Sequence, residues 1–287
     1  MAELQSTKKA FVTGWPVKHS KSPLIHGHWL AQFGIDGSYE PIAVEPDGFN
    51  DFISGLAENR FAGGNVTLPH KEAAYRAVDV ATSHAQKLQA VNTLWFEDGK
   101  LHGDNTDGYG FSANLDAANP GWDRPQRGIA TKAVILGAGG ASRAIIDCLQ
   151  SRGFGEIIII NRTIQRAQTL VDHFGEPCLA QTWDQLGDHL NDCDLVINTT
   201  SLGLEGTSWP DLSLEQLPKS AIVTDIVYTP LDTYPLQRAR ACGLRTVDGL
   251  GMLLHQAVPG FERWFGVRPQ VTKELHSLVV AALEGTK

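Results

Sequence analysis

Between residues 132 and 160 the chain alternates two solid apolar runs with one helical stripe. Lys132-Ala-Val-Ile-Leu136 enters a glycine turn at Gly137, Gly139 and Gly140. Beyond it Ala141, Ala144, Ile145, Cys148 and Leu149 fall at i, i+3, i+4, i+7 and i+8, one face of a helix. Glu156-Ile-Ile-Ile-Ile160 follows, and four β-branched residues in a row suit a strand covered on both faces. Strand, glycine turn, helix and strand predict a βαβ unit able to hold a nucleotide. Its glycines let the backbone approach a pyrophosphate, and the helix N-terminus supplies N–H donors and a positive dipole.

More than a hundred residues precede this unit, so a second body is expected in front of it. Strands are predicted at 10–15, 38–44 and 63–67, and helices from Ser22, over 47–58 and from Pro69. Residues 90–96 and 100–103 flank Asp98-Gly99 and predict a hairpin. This alternation makes residues 1–105 an α/β domain of their own. A helix over 109–118 leads into the breakers of Asn119-Pro-Gly-Trp-Asp-Arg-Pro125, where the junction is expected. Strands at 194–198 and 221–226 continue the nucleotide domain to about Val247. Helical patterns over 250–265 and 271–283 are expected to return and cover the first sheet. The expected fold class is therefore two α/β domains. A substrate-binding domain takes 1–111 plus 250–287, and a Rossmann-type domain takes 112–249.

Composition narrows the partners. A formal net charge of −8 argues against nucleic acid, which calls for a basic face. Cys148, Cys178, Cys193 and Cys242 show no C-x-x-C spacing and read as reduced core residues of a cytoplasmic protein. The first nine residues lack the apolar core of a secretory signal. No run approaches the ~20 apolar residues of a membrane span.

Polar positions then suggest chemistry. The turn reads G-x-G-x-x-S, with Ser142 where the fingerprint has its third glycine. An NAD site usually carries a carboxylate at the end of the second strand, to bond the ribose. Here Asn161, Arg162 and Thr163 follow, with Arg166 one turn on. Arg162 offers planar donors to a 2′-phosphate, which points to NADP. In Asn65-Val-Thr-Leu-Pro-His-Lys71, Pro69 suits a first helical turn. Lys71 would then stand near a helix N-terminus, where the dipole favours its neutral form and hence general-base work. Gly103-Asp-Asn-Thr-Asp-Gly108 offers it a carboxylate, with spacing alone not choosing between Asp104 and Asp107. Ser20 and Ser22 precede a helix start and suit an anion such as a carboxylate. His19, His26 and His28 have no Cys or carboxylate to complete a zinc set, so no metal is expected.

Eight motifs together resemble the shikimate dehydrogenase family, over nearly the whole chain. They are His19-Ser-Lys-Ser-Pro23, Asn65-Val-Thr-Leu-Pro-His-Lys71, Ala90-Val-Asn-Thr93, Gly103-Asp-Asn-Thr-Asp-Gly108, Gly137-Ala-Gly-Gly-Ala-Ser-Arg-Ala144, Asn161-Arg-Thr163, Asn198-Thr-Thr200 and Asp248-Gly-Leu-Gly-Met-Leu-Leu-His-Gln256. The resemblance implies an NADP-dependent oxidoreductase of aromatic amino-acid biosynthesis, interconverting 3-dehydroshikimate and shikimate. It implies Lys71 as the catalytic lysine and Asp107 as its paired aspartate. Ser20, Ser22 and Tyr228 match the residues that hold the substrate carboxylate. Thr67, Asn92 and Gln256 match those that contact the ring hydroxyls. Ile226, Gly249 and Met252 match residues near the nicotinamide. Gly137, Gly139, Gly140, Ala141, Ser142, Asn161, Arg162, Thr163, Arg166 and Thr199 complete the expected cofactor set.

Two other readings share these motifs. One is a quinate or quinate/shikimate dehydrogenase using NAD. The other is a nucleotide-sensing regulatory protein without turnover, for which retention of both Lys71 and Asp107 would have no use. A monomer or a homodimer is expected.

Overall fold

The computed structural model describes residues 8–124, 131–203 and 207–285. Contacts divide the chain into two units, residues 1–106 with 254–287, and residues 107–253. The expected cuts lay at 111/112 and 249/250, and Pro125 of the expected junction loop lies outside the described residues.

The first unit begins β1 (Lys8–Gly14), α1 (Ser22–Phe33), β2 (Gly37–Ala43), α2 (Phe49–Ser54), β3 (Phe61–Val66) and α3 (Lys71–Ala77). It continues β4 (Val80–Ala81), α4 (Ser83–Leu88), β5 (Thr93–Glu97) and β6 (Lys100–Asp104). The second unit runs α5 (Asp107–Ala118), β7 (Lys132–Leu136), α6 (Gly140–Ser151), β8 (Glu156–Ile160), α7 (Ile164–Phe174) and β9 (Cys178–Gln181). Its remaining elements are β10 (Leu195–Asn198), β11 (Ile222–Asp225), α8 (Tyr234–Ala241) and β12 (Arg245–Val247). Helix α9 (Leu250–Phe265) starts in the second unit and continues into the first, and α10 (Lys273–Glu284) closes the chain.

The first sheet is mixed, in the order β2-β1-β3-β5-β6-β4. β1 lies parallel to β2 and β3, while the β5–β6 hairpin pairs antiparallel with β3 through β5. α10 packs against α1, and the Lys21 ammonium donates to the Ala282 carbonyl at 3.1 Å. The Trp264 indole N–H donates to the Leu94 carbonyl at 2.7 Å, tying α9 to β5.

His26 sits fully buried in the resulting aromatic cluster. It stacks on Tyr39 at 3.9 Å and on Phe261 at 5.8 Å, with Trp29 edge-on at 5.6 Å. Neither ring nitrogen has a hydrogen-bond partner among the described residues. Burial lowers its pKa to about 3; nearby Asn65 opposes this without hydrogen-bonding geometry. A histidine depressed in the fold takes up its proton on unfolding, so it removes stability as pH falls below ~6.5 toward the folded value. His26→Phe is expected to flatten that loss, by about 2 kcal/mol at pH ~5. Urea unfolding across that range checks it. Parallel pH dependences for wild type and variant would contradict it.

The second sheet is parallel throughout, in the order β12-β11-β10-β7-β8-β9. β7 is buried along its whole length, as are Ile157–Ile160 of β8, which explains why both read as solid apolar runs. Strand order reverses between β7 and β10, the switch point outside whose carboxyl ends open α/β sheets bind ligands. α5 packs against α6, where a Cβ on Gly108 would stand 3.0 Å from the Ala144 carbonyl. That close packing explains why the whole helix belongs with the second unit.

Candidate active site

At the switch point the chain leaves β7 through Gly137, whose φ is +112°. A Cβ there would stand 2.7 Å from the Thr199 hydroxyl and 2.9 Å from Thr200 Cγ2, so only glycine fits between β7 and β10. Ser142, at the third glycine's place, is fully buried. Its hydroxyl accepts from Gly139 N at 3.1 Å, donates to the Gly137 carbonyl at 3.0 Å and lies 2.8 Å from Thr199 Oγ1. Thr199 Oγ1 donates to the Leu136 carbonyl at 2.9 Å. Ser142 and Thr199 thus brace the turn from inside.

Gly139 and Gly140 are the open face of that turn. A Cβ on either would meet nothing within 4 Å. No acidic residue occupies the first turn of α6. Unobstructed backbone at a helix N-terminus fits a pyrophosphate. Across β8, Arg162 and Arg166 are exposed, and neither has an ion-pair partner among the described residues. Asn161 Nδ2 donates to the Thr163 carbonyl at 2.8 Å. Thr163 is the N-cap of α7 but makes no side-chain cap bond, and the first turn holds no acid. The donors around Arg162 suit a phosphate, and no carboxylate opposes one. The residues present therefore fit NADP.

The carboxyl end of β11 holds a group the sequence did not flag. Asp225 is buried and accepts from Asn198 Nδ2 at 2.9 Å, Val227 N at 2.9 Å and Thr233 Oγ1 at 2.6 Å. Burial raises its pKa, and the three donors act against that rise. The carboxylate fixes the loop that carries Ile226 and Tyr228. Burial also raises the Tyr228 phenol. Gly249 closes against this loop, since a Cβ would overlap the Ile226 carbonyl. Asp248 Oδ1 accepts from Leu250 N at 3.0 Å, capping α9, and Met252 is buried on its first turn. Asp225→Ala should cost about 2–4 kcal/mol of stability, because three donors lose one acceptor. An unchanged urea midpoint at neutral pH would contradict that.

In the first unit, Ser20 Oγ accepts from Ser22 N at 3.2 Å just ahead of α1. Pro69 lies outside α3, which begins at Lys71 with His70 as N-cap. His70 is buried, stacked on Phe49 at 4.5 Å, with Nε2 2.7 Å from the Val44 carbonyl. These distant contacts fix the helix start. Thr67, Lys71 and Asn92 come together through the backbone. Thr67 N donates to the Thr13 carbonyl at 2.8 Å, Val66 N to the Asn92 carbonyl at 2.9 Å and Val91 N to the Lys71 carbonyl at 2.9 Å. Asn92 Oδ1 accepts from Thr93 Oγ1 at 2.8 Å and from Thr106 N at 2.9 Å. Thr106 Oγ1 in turn donates to the Gln256 carbonyl at 2.9 Å.

The two aspartates stand on different elements. Asp104 ends β6, and its carboxylate accepts from the Thr82 hydroxyl and from Asn105 N at 2.7 Å. Asp107 opens α5 in the second unit and is buried.

The family model of the shikimate dehydrogenase substrate binding domain matches residues 12–94, and that of shikimate / quinate 5-dehydrogenase matches 126–207. The shikimate 5'-dehydrogenase C-terminal domain matches 249–273. A Mesorhizobium japonicum protein named shikimate dehydrogenase (NADP(+)) is 58% identical over 280 residues, 98% of each chain. The chain belongs to the shikimate dehydrogenase family. Two solved structures share its fold. Shikimate 5-dehydrogenase from Thermus thermophilus, in complex with NADP(H) and shikimate, is 35% identical with a TM-score of 0.80, covering 98% of this chain and 100% of that one. Ligand-free 5-ketofructose reductase of Gluconobacter sp. strain CHM43 is 30% identical with a TM-score of 0.85, covering 98% and 99%. Ser20, Ser22, Thr67, Lys71 and Asn92 lie inside the first family match, the glycine turn, Arg162 and Thr199 inside the second, and Gly249, Met252 and Gln256 inside the third. Asp107, Ile226 and Tyr228 lie between matched segments.

Proposed function

We propose that this chain is an NADP-dependent oxidoreductase that interconverts 3-dehydroshikimate and shikimate. Full-length identity of 58% to a relative named for that activity carries the reading. The exposed Arg162 after β8, with no carboxylate beside it, supports NADP over NAD.

Gly137, Gly139, Gly140 and Ala141 would hold the pyrophosphate, with Ser142 and Thr199 bracing the turn. Asn161, Arg162, Thr163 and Arg166 would take the adenosine phosphate, and Ile226, Gly249 and Met252 the nicotinamide. When bound, the cofactor supplies the hydride that converts the ring ketone to an alcohol. The chain's own residues handle the rest. Lys71 gives the proton to the ketone oxygen in reduction and removes it from the hydroxyl in oxidation, and Asp107 holds the ammonium in place. Ser20, Ser22 and Tyr228 bind the carboxylate through hydroxyls. Thr67, Asn92 and Gln256 bond the ring hydroxyls, and a substrate lacking one leaves a polar partner unpaired.

The protein acts as a cytoplasmic monomer or homodimer, for which light scattering is the check. Among the described residues no helix is long and apolar enough to cross a membrane. The function is tested by incubating shikimate with NADP and identifying the product. Formation of 3-dehydroshikimate with equimolar NADPH is expected. A cofactor that binds tightly while no ring acid is oxidised would favour a sensor instead.

A further inference from the structure

Thr106 precedes Asp107 and is buried at 2% exposure. It makes two bonds that local sequence does not explain. Its N–H donates to Asn92 Oδ1 at 2.9 Å, and its hydroxyl donates to the Gln256 carbonyl at 2.9 Å while lying 3.2 Å from the same Asn92 oxygen. The second bond spans 150 residues of chain and joins the loop after β6 to the middle of α9.

That part of α9 is intrinsically weak. Pro259 lies inside that helix. A proline has no N–H, so the carbonyl four residues earlier, on His255, loses its helical donor, and the ring crowds it. The helix is weakened at the turn that carries Gln256. The Thr106 hydroxyl bonds the next carbonyl along, on Gln256, and ties that turn to the loop after β6. At its other end Thr106 helps fix an amide. Thr93 Oγ1 and Thr106 N donate to Asn92 Oδ1 and the Thr106 hydroxyl lies beside it, which sets the orientation of the amide.

We infer that Thr106 is a positioning residue for substrate recognition: its hydroxyl sets the Asn92 amide and the Gln256 turn of α9 in register, without itself touching substrate. The inference rests on the proposed function above, in which Asn92 and Gln256 contact the ring hydroxyls. It predicts an effect on recognition of the ring more than on the chemical step or on the cofactor.

The comparison is Thr106→Val, which keeps the branched shape and loses the hydroxyl, against Thr106→Ser, which keeps the hydroxyl. Thr106→Val should raise KM for shikimate about tenfold, with kcat within about threefold and KM for NADP unchanged. Thr106→Ser should stay within about twofold of wild type. Should the valine variant not fold, Thr106→Ala against Thr106→Ser gives the same comparison. A valine variant with wild-type KM, a fall in kcat at unchanged KM, or equal impairment of both variants would overturn the inference. Absence of shikimate turnover by the wild type falls on the proposed function; the same pair of variants, tested on whichever ring acid is turned over, then decides the role of Thr106. If no ring acid is turned over, both fall.

Discussion

Lys71→Ala is expected to lower kcat by about 10²–10⁴-fold while KM for shikimate changes little, the loss typical of a general acid–base group. Lys71 occupies the first position of α3, on a turn joined by backbone bonds to Thr67 and Val91. Removing its side chain leaves those bonds in place, so ground-state binding should survive while proton transfer does not. Asp107→Asn should be impaired in the same direction. The double variant should lose far less than the product of the two single losses, because a pair that acts as a unit can be broken only once. Losses that multiply would show two independent roles. A Lys71→Ala enzyme with near-normal kcat would remove the lysine from the mechanism.

The second large effect concerns the cofactor. Arg162→Ala should weaken NADP by about 10- to 150-fold, the worth of a charge-assisted bond to a phosphate, and leave NAD nearly unaffected. The side chain is exposed and has no ion-pair partner among the described residues. Its loss should therefore cost little stability, and binding can be measured on folded protein. Titration with each cofactor decides it. Equal weakening of NADP and NAD would mean that Arg162 does not read the 2′-phosphate. The contribution should shrink as salt rises, since an exposed contact is screened.

The second unit was the more legible from sequence, because its signals are local. Four consecutive isoleucines report a strand covered on both faces, and β8 is buried on both. Gly137 reports a turn that no side chain can make, and the neighbouring hydroxyl of Thr199 is the reason. The role of Ser142 was not legible. A small polar residue in the fingerprint reads as a ligand contact until its bonds to Gly137 and Gly139 are seen.

In the first unit the decisive partners are distant in the chain. The start of α3 was expected at Pro69 and lies at Lys71, because His70 is held by Phe49 and the Val44 carbonyl. Spacing alone left Asp104 and Asp107 equal. The family resemblance picks out Asp107, while the Thr82 hydroxyl that bonds Asp104 is a partner that nothing in the 103–108 loop announces. The roles of Asp225 and Thr106 are not legible in the sequence for the same reason. Each looks like an ordinary polar residue beside a turn, and each acquires its role from partners that only the fold supplies.

The most direct test of the account is the ratio of kcat/KM for shikimate with NADP to that for quinate with NAD, on the wild-type protein. An arginine placed for the 2′-phosphate is worth about tenfold or more on the cofactor side alone, so a ratio above about 10 is predicted. A ratio at or below one would contradict the account and make the chain a quinate dehydrogenase that uses NAD.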